Sequence, residues 1–116
     1  MQNLLDLTPV RLRDFTLNKN RRGGDITILV PKFGTGKIGK WLRKLLKNPD
    51  YRVHLDNFGS HVWQLCNGEN QVRNIGTSLQ ERFGDTIEPV YDRLALFLKQ
   101  LEKSKLIAFR EIIEKT

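Results

Sequence analysis

Three absences restrict what this chain of 116 residues can be. Its single cysteine, Cys66, cannot form an internal disulfide and suits a reducing compartment. No apolar run approaches the ~20 residues of a membrane-spanning helix, and no charged-then-apolar leader opens the sequence. We therefore expect a soluble, cytoplasmic protein without a membrane span.

Groups suited to catalysis or metal binding are also scarce. His54 and His61 are the only histidines, and their spacing across a predicted strand–helix junction fits no zinc motif. Cys66 stands among core positions, which favours a buried thiol over a nucleophile. No paired carboxylates or serine–histidine arrangement stands out, and the GTGK segment at 34–37 lacks two of the residues that a phosphate-binding loop needs. The sequence therefore predicts no enzyme activity, no metal and no cofactor.

Basic residues are in excess. The net charge is +7, all of it contributed by residues 1–50, whereas residues 51–116 are balanced. A helix that reads DNA needs cations on or beside it, and the candidate recognition helix Val72–Phe83 offers only Arg73 and Arg82. A basic winged-helix nucleic-acid-binding protein is therefore the alternative function, not the leading one.

Strand patterns occupy the first part of the chain. Val10–Leu17 alternates apolar and polar residues with a phase slip at Asp14, which predicts one strand with a bulge. Ile26–Val30 is β-branched and nearly continuous, as in strands covered on both faces, and Pro31 ends it. This length suits one domain, so residues 1–36 are assigned to the N-terminal strands of a single domain spanning 1–116.

An amphipathic, strongly basic helix is predicted at residues 37–47. Its apolar residues recur at helical spacing around Trp41, and cations cover the remaining surface. Such a face is either solvated or a docking surface for a partner, and both interpretations stay open at this point. The candidate partner surface comprises Lys37, Lys40, Trp41, Arg43 and Lys44.

A half-buried strand and three helices are predicted in the remainder. Tyr51–Leu55 alternates in polarity, and Asp56 can cap the helix that follows. Asn67–Gly68 closes that helix, Val72–Phe83 forms the second, and a broad apolar stripe over Ile87–Leu101 marks the third. Three helices joined by tight turns are typical of a helix-turn-helix or winged-helix bundle.

Residues 51–109 resemble the PqqD family, for which the RiPP recognition element, a leader-peptide-binding domain, was described. The residues that carry the resemblance are Leu55, Asp56, Gly59, Val62, Trp63, Leu65, Cys66, Asn67, Gly68, Val72, Ile75, Leu79, Phe83, Leu94, Phe97, Leu98, Leu101, Leu106 and Ile107. The resemblance implies an α+β fold in which a small three-stranded antiparallel sheet packs on a three-helix, winged-helix-like bundle. The basic helix at 37–47 would then be an insertion before the PqqD-like core at 51–109.

The function that the resemblance implies is that of a non-catalytic adaptor. Such a protein captures the leader segment of a ribosomally synthesised precursor peptide by strand addition and presents it to a radical-SAM or other peptide-tailoring enzyme. Carried over by position, the peptide-binding residues are Tyr51, Arg52, Val53, His54, Leu55, Arg93, Ala95, Leu96 and Gln100. Leu96 lies off the core stripe, either as a lone surface leucine or as the floor of a groove. Strand edges that are open to pairing also leave a homodimer open.

Overall fold

The computed structural model describes residues 3–18, 24–31 and 50–114. Their elements in chain order are β1 Pro9–Arg11, β2 Phe15–Leu17, β3 Ile26–Pro31, β4 Asp50–His54, α1 Asn57–Leu65, α2 Val72–Phe83, α3 Val90–Lys103, β5 Ile107–Phe109 and α4 Arg110–Glu114. Short 3-10 turns lie at Leu4–Asp6 and Gly84–Ile87. The basic helix predicted at 37–47 falls outside the described residues.

An antiparallel sheet of three strands, in the order β2–β3–β4, forms one layer of the molecule. Its central strand β3 is covered on both faces, because Ile26 and Ile28 are fully buried on one face and Thr27 is 5% exposed on the other. This confirms the interpretation of the continuous β-branched run. The three-stranded antiparallel sheet and the mixed α+β class are also confirmed.

The prediction of a single bulged strand over Val10–Leu17 is wrong. The segment forms two strands in two different sheets, since β1 pairs with β5 and β2 pairs with β3. The Leu12 amide donates to the carbonyl of Leu106, whereas the Asp14 carbonyl accepts from the amide of Leu29. The phase slip at Asp14 therefore marks the point where the chain changes hydrogen-bonding partner.

Strand β1 is held on both sides. It pairs antiparallel with β5, and on its other side Val10 bridges to Asn67. The Gly68 amide donates to the Pro9 carbonyl over 3.0 Å. Gly68 has a φ of +82°, in the left-handed region that glycine adopts at low cost, so the predicted helix-closing turn is confirmed.

The helices build the core against the sheet. The predicted cap of α1 is confirmed, because the Asp56 carboxylate accepts a 2.7 Å hydrogen bond from the Gly59 amide. Helix α2 has the predicted bounds, and its Gly76 lets the ring of Tyr91 on α3 approach closely. The largest fully buried side chains include Trp63, Ile26, Ile28, Ile75, Leu79, Leu94, Leu98 and Ile107. The winged-helix arrangement of these helices stays a prediction.

Candidate functional site

Strand β4 has one edge without a strand partner among the described residues. It pairs with β3 through a register that includes Ile28 opposite Val53, and it stands at the end of the strand order β2–β3–β4. An unpaired edge presents backbone donors and acceptors to any extended chain that approaches it. This edge is therefore a candidate for recognition by main-chain hydrogen bonds.

The residues that face outward at this edge follow from the hydrogen-bond pattern. The Leu55 amide donates to the carbonyl of Ile26 at 3.0 Å, so the backbone of Leu55 points toward β3. Peptide groups alternate in direction from one residue to the next in an antiparallel ladder, so Val53 also points inward. The N–H and C=O groups of Arg52 and His54 consequently point away from the sheet.

A groove of about 350 Å³ runs beside this edge, between the sheet and α3. Its lining residues are Val30, Val53, Leu55, Phe97, Gln100, Leu101, Ser104 and Leu106. Among the described residues that line it, none is charged, and Gln100 and Ser104 supply the polar groups. Binding sites of this kind combine a largely apolar wall with a few polar groups that fix orientation.

The groove is supported by aromatic packing between the first turn of α1 and the middle of α3. The rings of Phe58 and Phe97 meet edge to face with centroids 6.0 Å apart. Gly59 gives this contact its room, because a Cβ there would lie 3.1 Å from Phe97 Cζ. The guanidinium of Arg93 stacks over the Phe58 ring at 5.1 Å and places a positive charge on this side of the helix.

Several of the residues predicted for peptide binding lie together at this site. Val53, Leu55 and Gln100 line the groove, and Val53 is 37% exposed. Arg52 and His54 flank Val53 on the opposite face of β4, where His54 Nδ1 lies 2.8 Å from the hydroxyl of Thr27. The backbone of Tyr51 pairs with Val30 in β3.

Two further residues predicted for peptide binding, Ala95 and Leu96, also lie away from the groove. Successive helix residues are turned by about 100°, which places Ala95 on the side of α3 opposite Phe97 and Ser104. Leu96 is 62% exposed and lies on the solvent side of Gln100, outside the groove lining. The groove floor is therefore made by other residues of α3.

The sequence interpretation missed the floor of the groove. Phe97, Leu101 and Ser104 recur at i, i+4 and i+7, along the margin of the core stripe that turns toward β4. Phe97 and Leu101 were assigned to the core stripe as a whole. One feature of the sequence could have identified Phe97 and Leu101 as groove residues. They lie at the margin of the apolar stripe of α3, where the stripe borders the polar residue Gln100.

One comparison with known proteins gives a match. The family model described as Coenzyme PQQ synthesis protein D (PqqD) matches residues 44–107, which is more than half of the chain. The chain belongs to the PqqD family. No curated protein and no solved structure matches it. Membership gives this PqqD-family chain an accessory role in coenzyme PQQ synthesis or in a related peptide-modifying pathway, and members of the family are non-catalytic.

Within this family member, one serine–histidine pair is present that the sequence did not predict. His61 Nε2 on α1 lies 2.8 Å from Ser78 Oγ on α2, and the His61 ring packs edge to face on Phe83. Burial, with a smaller contribution from Arg82, lowers the pKa of His61 below its ordinary value. Among the described residues no carboxylate hydrogen-bonds this ring, so the pair joins two helices without the third member of a catalytic triad.

The thiol of Cys66 is buried in the core of this PqqD-family chain. Burial raises the pKa of Cys66 to about 12, although the nearby Arg11 opposes the shift. Thiolates, and not thiols, act as nucleophiles and metal ligands. The environment of Cys66 therefore suits packing and not chemistry.

None of the helices in the described part of the chain has the length and apolar character needed to cross a bilayer. The candidate partner surface around Trp41 lies outside the described residues, so its role stays a prediction.

Proposed function

We propose that this PqqD-family chain is a peptide-binding adaptor. It captures the leader segment of a ribosomally synthesised precursor peptide by strand addition to β4 and presents that peptide to a modifying enzyme, such as a radical-SAM protein. The observation that carries the proposal is the combination of the outer edge of β4, unpaired among the described residues, with an apolar groove of about 350 Å³ beside it.

Both parts of the site are needed for useful affinity. A backbone hydrogen bond contributes only about 0.5–1.5 kcal/mol net, because the free peptide is already hydrogen-bonded to water. Apolar side chains that enter the groove add about 1.5–3 kcal/mol each when they are fully buried. Strand pairing supplies orientation, and the groove wall around Val53 and Phe97 supplies selectivity.

The proposal is tested by titrating the purified chain against fluorescently labelled leader peptides encoded near its gene. We expect saturable binding, read by fluorescence anisotropy, at micromolar concentrations. The variant Gln100→Trp fills the groove from an exposed position and should abolish or strongly weaken binding. Gln80→Trp makes the same change at an exposed position of α2 and should bind like the parent protein.

The strand-addition part has its own test in the peptide. N-methylation of the amides that pair with the carbonyls of Arg52 and His54 removes two donors without altering any side chain. Methylation of the alternate amides, which face away from β4, is the matched control. Equal binding of both methylated peptides would contradict strand addition, and absence of binding by every neighbouring leader peptide would contradict the proposed function.

The alternative function, nucleic-acid binding, is motivated by the net charge of +7 and a pI of about 9.9. One of the two arginines on α2, Arg73, is engaged in an ion pair with Asp6. A DNA-binding protein would lose affinity steeply as salt rises from about 50 to about 200 mM, because binding releases condensed counterions. Retention on immobilised DNA that disappears over this range would favour the alternative.

Presentation to an enzyme is tested separately from peptide capture. We propose that residues 37–47, for which the sequence predicts a basic helix, dock the tailoring enzyme through Lys40, Trp41 and Arg43. Replacement of Lys40, Arg43 and Lys44 by glutamate should abolish co-purification with the enzyme and leave leader-peptide affinity unchanged. Unaltered co-purification would exclude this helix as the docking surface.

A further inference from the structure

A second strand edge lies at the end of the three-stranded sheet opposite β4. Strand β2 ends the order β2–β3–β4, and no other described strand pairs with its outer side. The carbonyl of Asp14 accepts from the amide of Leu29, so the backbone of Asp14 points toward β3. Peptide groups alternate in direction along an antiparallel ladder, so the N–H and C=O groups of Phe15 and Leu17 point outward.

The side chains at this edge are apolar and face the helices. Phe15 and Leu17 pair with the two buried isoleucines of β3, and paired residues project from the same face of a sheet. The ring of Phe15 meets the ring of Trp63 edge to face, with the centroids 6.0 Å apart. Leu17 is nevertheless 50% exposed, so the apolar surface continues to the rim of the sheet.

A cavity of about 610 Å³ lies beside the outer edge of β2. Its described lining residues are Arg11, Phe15, Leu17, Asp25 and Gln64. The guanidinium of Arg11 donates to the carbonyls of Trp63 and Gln64 at 2.9 and 3.0 Å, and it lies 5.1 Å from the centre of the Phe15 ring. A strand added at this edge would direct the side chains opposite Phe15 and Leu17 into this cavity.

The segment that carries β2 has an excess of positive charge. Residues 11–25 contain five cations against the two acids Asp14 and Asp25, and these cations are Arg11, Arg13, Lys19, Arg21 and Arg22. Three of the five follow β2 directly in the sequence. Charges so close along the chain act together on a bound segment, because the screening length is about 8–10 Å at ordinary salt.

This charge selects between two occupants of the edge. A second copy of the chain would bring two basic segments together, and like charges that face each other across paired strands are destabilising. An acidic segment is attracted to the same surface. We infer that the outer edge of β2 binds an extended, acidic segment of a partner protein, with apolar residues at the alternate positions opposite Phe15 and Leu17. The site lies across the sheet from β4, so the inference goes beyond leader-peptide capture and does not depend on it.

The inference is tested with a synthetic peptide as the probe. The peptide contains Glu-Asp-Leu-Thr-Leu-Asp-Glu with a fluorescein label, and fluorescence anisotropy measures its binding to the full chain. We expect saturable binding that weakens about tenfold or more when both leucines are replaced by serine, since two apolar contacts are lost. Replacement of the four acids by lysine should weaken it about tenfold as well, because attraction becomes repulsion. Equal affinities of the three peptides would overturn the inference.

Substitutions in the protein assign the bound peptide to β2. Leu17→Ser removes an apolar side chain from the cavity wall, and we expect it to weaken binding about five- to tenfold. Leu12→Ser is the matched control, because Leu12 is similarly exposed but does not line the cavity, and it should bind like the parent protein. Gln100→Trp, which fills the groove beside β4, should also leave the affinity unchanged.

Two results would overturn the inference without affecting leader capture at β4. One is loss of binding in Gln100→Trp while Leu17→Ser binds normally, because the peptide would then occupy the other edge. The second is a dimer, detected by sedimentation equilibrium without peptide, that Leu17→Ser dissociates, because a second copy would then occupy β2. We expect the wild type and Leu17→Ser to sediment with the same mass. The peptide substitutions are measured on the unaltered protein, so they decide the question even if Leu17→Ser fails to fold.

Discussion

Glu111 holds Thr8 through both of its carboxylate oxygens. Oε1 accepts from the Thr8 amide and Oε2 accepts from the Thr8 hydroxyl, each over 2.7 Å. The Arg110 amide donates in turn to the Thr8 carbonyl. Desolvation alone would raise the pKa of Glu111, but the hydrogen bonds from Thr8 outweigh it and lower the pKa below its ordinary value. The carboxylate form is therefore the one that ties α4 to the segment that leads into β1.

Glu111→Gln should reduce the free energy of unfolding at pH 7 by about 1 kcal/mol, since one charge-assisted hydrogen bond is lost and another becomes neutral. Because the pKa of Glu111 is lowered in the folded state, its contribution is present above the unfolded pKa and disappears as the pH falls through the folded value. Urea unfolding midpoints at pH 7 and below about pH 4 check this. The difference in urea midpoint between the wild type and Glu111→Gln should narrow at the lower pH. The control Glu102→Gln, at an exposed position, should have the wild-type midpoint at both pH values.

Gly76→Ala should destabilise the fold by about 1–3 kcal/mol, as overpacked cores do. A Cβ at this position would lie 2.3 Å from Cε1 of Tyr91, whose hydroxyl is hydrogen-bonded to the carbonyl of Arg73. The higher helix propensity of alanine offsets part of this cost. Thermal unfolding measures the change, and the second substitution Tyr91→Ala should make Gly76→Ala neutral or stabilising. If Gly76→Ala lowered the unfolding temperature equally in the wild type and in Tyr91→Ala, a clash between the new Cβ and the Tyr91 ring would be contradicted.

Removal of the carboxylate that caps α1 should also weaken the fold. Asp56→Ala leaves the Gly59 amide without its 2.7 Å acceptor, and we expect a loss of about 1 kcal/mol in the free energy of unfolding. Asp56→Asn keeps an oxygen acceptor at the cap and should lose much less. Chemical denaturation of the two variants measures the difference, and equal losses would show that the charge, and not the hydrogen bond, is what matters.

The thiol of Cys66 should resist modification while the protein is folded. With its pKa raised to about 12, only about one molecule in ten thousand carries the thiolate at pH 8, and the side chain is fully buried. We expect an aromatic disulfide reagent to label Cys66 only upon unfolding, at a rate that follows the denaturation curve. Rapid labelling of the native protein would contradict this burial.

Local signals predicted much of the helical half of the fold. The bounds of α2, the capping role of Asp56 and the turn at Gly68 each depend on residues close in sequence, so the pattern alone identified them. The same holds for the strand at β3, whose β-branched run is covered on both faces. The resemblance of residues 51–109 to the PqqD family is confirmed by the family model, which matches residues 44–107.

The pairing of distant segments was not predictable in the same way. Nothing in the three residues of β1 identifies β5 as their partner, so β1 and β2 merged into one predicted strand. The groove posed a similar problem, because the core stripe of α3 does not reveal which of its margins faces β4. Val53, Leu55 and Gln100 were placed at the site from the resemblance, whereas Phe97 and Ser104 required the coordinates.

The pairing of Pro9 with Phe109 joins two strands whose residues are 100 positions apart in the sequence. On the ribosome, β1 is made early but cannot acquire its main partner until β5 has left the exit tunnel. Contacts between residues so far apart in sequence are slow to form, because a long loop must close before they do. We therefore expect this two-stranded sheet to stay incomplete until β5 has been synthesised and has emerged, which makes the appearance of β5 the step that commits β1 to its native pairing.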